Sequence, residues 1–151
     1  MSDDFIVLVS RDPSWRAEPL VLERVTAILR RLAPSADSIT PEVSEAIRFH
    51  DAGSNFEGIR CPRCAAEISI DWWQNCMDED SDGDGFALGS FEVPCCEALL
   101  NLNELKYESN QAFSRTSWTV QNANIGELSD AAGRELEEAA GLPLVAVYQH
   151  L

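Results

Sequence analysis

Apolar and polar positions along this chain follow different periods in its outer thirds and its middle. The run Phe5-Ile6-Val7-Leu8-Val9-Ser10, closed by Arg11-Asp12-Pro13, predicts a buried strand ending in a turn. From residue 18 to about 32, Val21, Val25, Ile28, Leu29 and Leu32 recur at helical spacing, and Ala33-Pro34-Ser35 stops the helix. Val43, Ile47 and Phe49 then alternate with Ser44, Arg48 and His50, as in a half-buried strand. The last third repeats this order. Residues 113–120 are rich in Thr, Ser, Trp and Val and read as a strand. Ser129 can cap a helix that runs to Ala140, with Gly141 as its stop. Leu144, Ala146 and Tyr148 alternate with Val145, Val147 and Gln149 in a terminal strand.

The middle third lacks a single period. Ile68 and Ile70 alternate with Glu67, Ser69 and Asp71 like a strand, and residues 71–77 read as a short helix. An acidic loop is expected over 78–85, a strand over 86–93, and a helical turn or short helix over 101–107 packed by Leu102 and Leu105. No internal sequence repeat stands out. The expected fold class is α+β, with two β-α-β halves around a central cysteine-bearing module. It is read as one domain, 1–151, with 55–105 as the insert.

Composition narrows the function classes. A chain of 151 residues is long enough to bury roughly 68–70% of its unfolded surface. Acidic residues outnumber basic ones 26 to 11, for a formal charge of −15. That balance argues against general attraction to phosphate backbones or anionic lipids. No apolar run approaches the ~18 residues of a membrane span. The start, Met1-Ser2-Asp3-Asp4, is acidic where a secretory leader is basic. A cytoplasmic protein is therefore expected.

The five cysteines are Cys61, Cys64, Cys76, Cys95 and Cys96. In a reducing compartment such cysteines point to metal or redox chemistry more than to disulfides. Zinc favours four thiolates in a tetrahedron, and a two-residue gap suits a turn that aims two of them at one ion. Cys61-Pro62-Arg63-Cys64 followed by Pro94-Cys95-Cys96 resembles a zinc ribbon, in which a C-P-x-C turn faces a second cysteine pair. That resemblance covers residues 55–105 and implies Cys61, Cys64, Cys95 and Cys96 as metal ligands. The chain also resembles a small bacterial protein family sharing G-x-x-C-P-x-C, a tryptophan pair and P-C-C, here Gly58 to Cys64, Trp72-Trp73 and Pro94 to Cys96. That second resemblance implies no activity.

Cys95 and Cys96 depart from the usual C-x-x-C. Adjacent residues on a regular strand point to opposite faces, so both reach one ion only if the backbone turns sharply. Cys76 or His50 as fourth ligand, or cysteines acting as small buried hydrophobes without metal, are the competing readings. Four cysteine ligands would close the coordination shell, which makes the zinc structural. C-P-x-C also resembles the dithiol of glutaredoxin-like proteins, whose first thiolate sits at a helix N-terminus. The strand-like alternation after Cys64 disfavours that reading.

Asp78, Asp80 and Asp82, followed by Gly83, match the first half of a calcium loop, but the twelfth position is Gly89 instead of a glutamate. A solvated acidic loop explains them better, with a weak calcium or magnesium site as the alternative. Of Trp72 and Trp73, one is expected in the core and one partly covering it. Neither His50 nor His150 stands in a recognisable sequence setting for a serine or cysteine hydrolase triad, and no glycine-rich phosphate loop occurs. Nucleic-acid binding is the usual role of a zinc ribbon, but removing the five acids of 78–84 from −15 still leaves −10. The expectation is a non-enzymatic protein with a structural zinc site, an interaction or immunity-type inhibitor module for a basic protein partner. The alternative is a zinc-ribbon accessory factor that binds protein components of a nucleic-acid machine, or a thiol redox protein.

Overall fold

Burial on both faces of the strand at Asp4–Ser10 (β1) organises the structure, a computed structural model that describes residues 3–53 and 56–150. The elements that follow are α1 (Pro19–Leu32), β2 (Ser38–His50), β3 (Ile59–Arg60), α2 (Ile70–Asp80), β4 (Ser81–Asp82) and β5 (Gly85–Phe86). After them come β6 (Phe91–Glu92), β7 (Leu99–Leu100), β8 (Lys106–Tyr107), β9 (Ala112–Gln121), α3 (Asp130–Ala140) and β10 (Leu144–His150). The protein is an α+β fold. Its main sheet has four strands in the order β10-β1-β9-β2, every neighbour antiparallel. The two β-α-β halves thus interleave in one sheet, β9 lying between β1 and β2, and β1 between β9 and β10. This is the split β-α-β arrangement of ferredoxin-like sandwiches.

Alternation along the strands sets the two faces. Ile6, Leu8, Trp118, Val120 and Leu144 pack against Val25 and Leu29 of α1 and Leu136 of α3. The Trp118 indole, fully buried, donates to the Leu22 carbonyl at 3.2 Å. The Ser129 hydroxyl accepts from Ala132 N–H, and Gly141 ends α3 at φ +83°, a left-handed turn that glycine adopts without steric cost. Val7, Val9, Ala112 and Val147 form a smaller cluster on the opposite face.

β2 begins at Ser38, earlier than its alternation suggests, and accommodates Pro41 because it is an edge strand of the main sheet. Its register with β9 breaks between Val43 and Arg48. That irregularity shifts side chains between faces and obscures the period.

The segment between β2 and β9 has its own core of Ile59, Ile68, Trp73, Val93, Leu100, Leu102 and Phe113. It rests on the main sheet through Phe49 of β2 and Phe113 of β9, whose rings lie 4.8 Å apart. Trp73 is buried and donates to the Tyr107 hydroxyl, which donates to the Leu102 carbonyl, while Trp72 is half-buried. The tryptophan pair is split between core and cover as expected. The 101–107 stretch is a turn that ends in β8, not a short helix.

Two expectations are corrected here. The acidic loop at 78–85 is the last turn of α2 followed by the β4–β5 hairpin, turned by Gly83 at φ +61°. The single strand expected over 86–93 is broken at Leu88, which adopts φ +55°. The cause is the buried Asp80 carboxylate, which accepts the amides of Leu88 and Gly89 at 2.8 Å each and pulls the chain out of line. No helix among the described residues is long and apolar enough to cross a membrane.

Candidate metal centre

Two tight turns carry four of the cysteines. In the first, Cys61 N–H donates to the Ala66 carbonyl at 2.9 Å, and the Cys61 carbonyl accepts from Ala65 N–H at 3.0 Å. In the second, Val93 N–H donates to the Ala98 carbonyl and the Val93 carbonyl accepts from Glu97 N–H, both at 3.0 Å. Ala65 and Glu97 hold the left-handed conformation, at φ +64° and +63°. Proline fixes the second position of each turn, as Pro62 and Pro94. The flanking strands match as well: Ile68 N–H donates to the Ile59 carbonyl, and Phe91 pairs with Leu100. Residues 59–68 and 91–100 are therefore two copies of one backbone motif.

The Sγ atoms of Cys61, Cys64, Cys95 and Cys96 all lie within 4.8 Å of one another and could hold a metal ion. Cys61 Sγ and Cys96 Sγ are 3.7 Å apart. A tetrahedral ion with metal–sulfur bonds near 2.3 Å would separate its ligands by about 3.8 Å. Adjacent Cys95 and Cys96 both reach the cluster because they occupy the turn itself, with no strand pleat to drive them apart.

Local electrostatics favour a thiolate at Cys61. The amides of Cys64 and Arg63 point at its sulfur, the latter at 3.4 Å, and bring its pKa down to about 7. The Cys95 thiol is pushed up to about 12, because its sulfur loses solvent among the protein atoms and shares hydrogen bonds with the neighbouring thiols of Cys64 and Cys61. A bound cation reverses such costs, since a coordinating thiol is deprotonated outright.

The remaining candidates lie elsewhere. Cys76 is buried on α2 within the apolar core beside Trp73, and burial raises its thiol pKa. His50 ends β2, its Nε2 buried without a hydrogen-bond partner. Neither belongs to the sulfur cluster. Asp78, Asp80 and Asp82 form no metal-capable group among the described residues, and both Asp80 oxygens are engaged by backbone amides. The helix after the first turn opens only at Ile70, capped by the Ser69 hydroxyl through Trp72 N–H. Cys61 and Cys64 therefore lack the helix N-terminus of a glutaredoxin-like dithiol.

The structural role of Val93 escaped sequence reasoning. The signal was present: Pro62 and Pro94 each stand two residues before the second cysteine of their turn, Cys64 and Cys96. Valine in place of the first cysteine masked it. Set against family models, curated proteins and solved structures, the chain matches none.

Proposed function

We propose that this chain is a non-enzymatic zinc protein whose four-cysteine site holds the inserted module together and whose acidic surface binds a basic protein partner. The observation that carries the zinc reading is the constellation of four sulfurs within 4.8 Å on two matched turns. Cys61, Cys64, Cys95 and Cys96 would hold the ion. Zinc would supply cross-linking of the two turns, and a four-thiolate shell leaves no position for water or substrate. Such a site stabilises and does not catalyse.

The partner reading rests on the charge of −15. A surface of that sign accelerates encounter with a cationic protein and weakens contact with nucleic acid. An immunity-type inhibitor that masks a basic surface has this profile. Native mass spectrometry of freshly purified protein should find one zinc per chain. Pull-down at low salt should recover a basic protein, and its retention should fall as salt rises. A metal-free folded chain would remove the first half of the proposal, and salt-independent capture the second.

A further inference from the structure

Three of the four clustered cysteines, Cys64, Cys95 and Cys96, are exposed, and Cys61 is buried. Cys61 Sγ of the first turn and Cys96 Sγ of the second are in contact at 3.7 Å, within about 2 Å of disulfide bonding distance. Adjacent Cys95 and Cys96 make a poorer pair. Consecutive Cα atoms stand about 3.8 Å apart, whereas a disulfide spans about 4.4–6.8 Å between its Cα atoms. Cys61 with Cys64 would join two residues of one turn and leave the two turns untied. The Cys61–Cys96 bond would instead tie the same two turns that a metal ion in the cluster would tie.

Coordinated cysteines are thiolates, and accessible thiolates are the form that peroxides oxidise. Hydrogen peroxide is neutral, so the formal charge of −15 does not repel it as it would an anionic disulfide such as oxidised glutathione. We propose, resting on the zinc reading above, that hydrogen peroxide converts this site from a zinc cross-link into a Cys61–Cys96 disulfide and releases the ion. The exposed Cys96 thiolate attacks one peroxide oxygen, the O–O bond breaks and hydroxide leaves, so Cys96 becomes a sulfenic acid. The Cys61 thiolate then attacks the Cys96 sulfur. An S–S bond forms, the S–O bond breaks and a second hydroxide leaves. The two sulfurs give up two electrons, the peroxide takes both, and two protons from solvent turn the hydroxides into water. Only Cys64 and Cys95 remain as ligands, and two thiolates do not hold a tetrahedral ion.

The test uses the full chain purified under reductant, with its zinc content measured first by native mass spectrometry. A small excess of hydrogen peroxide should then release one zinc per chain to a chromophoric chelator. Peptide mapping should find one disulfide per zinc released, joining Cys61 to Cys96, while Cys76, buried in the core of the module, stays reduced. The oxidised chain should melt above reduced chain stripped of zinc by a chelator, because the disulfide ties the turns that metal loss frees. Reductant with added zinc should restore the starting metal content. A chain without zinc before treatment would overturn the zinc reading, and release with it. A loaded chain that keeps its zinc under peroxide, or loses it with Cys61 reduced or paired to any cysteine but Cys96, would leave the zinc reading standing and overturn the switch.

Discussion

Val93 holds in the second cysteine turn the place that Cys61 holds in the first. Both residues are buried, and each anchors its turn by the same pair of backbone hydrogen bonds. By the same matching, Cys95 stands where the first turn has Arg63, and Cys96 where it has Cys64. The site thus uses the third and fourth positions of one turn and the first and fourth of the other.

This relationship is testable by moving a ligand. Cys95→Ser should weaken zinc binding by more than the ~10–100-fold typical of changes to residues that only support a ligand. Adding Val93→Cys to that variant rebuilds C-P-x-C and should recover most of the loss, measured by competition with a chromophoric chelator. A double variant as weak as Cys95→Ser would show that the two turns are not equivalent.

Asp80→Ala should cost about 3 kcal/mol in urea unfolding, since it strands the amides of Leu88 and Gly89 and removes two hydrogen bonds to a charged acceptor. Asp80→Asn keeps one acceptor oxygen and should cost less. Because both oxygens serve the backbone, added calcium should leave the wild-type melting temperature unchanged.

His50 should make stability fall in mild acid. Burial depresses its pKa below the ordinary 6.5, Arg48 assists, and Glu42 and Asp51 oppose. The folded state therefore binds this proton less readily than the unfolded chain. Its contribution is complete above pH 6.5 and is lost as pH falls through that value towards the depressed folded-state pKa. Urea midpoints for wild type and His50→Gln, compared between about pH 7 and 5.5, should show a shallower slope in the variant.

Gly85→Ala should destabilise by about 1–3 kcal/mol through overpacking. A Cβ there would stand 2.5 Å from the Ile47 carbonyl oxygen and 2.7 Å from the Ala46 Cβ, so β5 could no longer lie against β2. Circular dichroism melts measure the cost directly.

Apart from the start and irregularity of β2, the outer thirds of the fold were legible because their signals are local. Ser129 and Gly141 cap α3 as their chemistry demands, and β1 reads as a strand from its own run Phe5 to Ser10. The middle third was not, because its turns depend on distant groups. Nothing in residues 86–93 announces that the Asp80 carboxylate will capture Leu88 and Gly89. The helical start at Ile70 was hidden by an accidental alternation that the Ser69 cap overrides. The sulfur cluster was legible in residue identity but not in geometry. Adjacent Cys95 and Cys96 conflict with strand alternation, and the left-handed Glu97 that resolves the conflict bears no glycine to mark it.

The most direct test of the proposed zinc centre compares wild type with Cys64→Ser by native mass spectrometry and thermal melting, before and after a strong chelator. Wild type should carry one zinc, and chelation should lower its melting temperature to about that of Cys64→Ser, which itself should be metal-free and unresponsive to the chelator. A wild-type chain that is folded without metal and melts unchanged with the chelator would contradict the account.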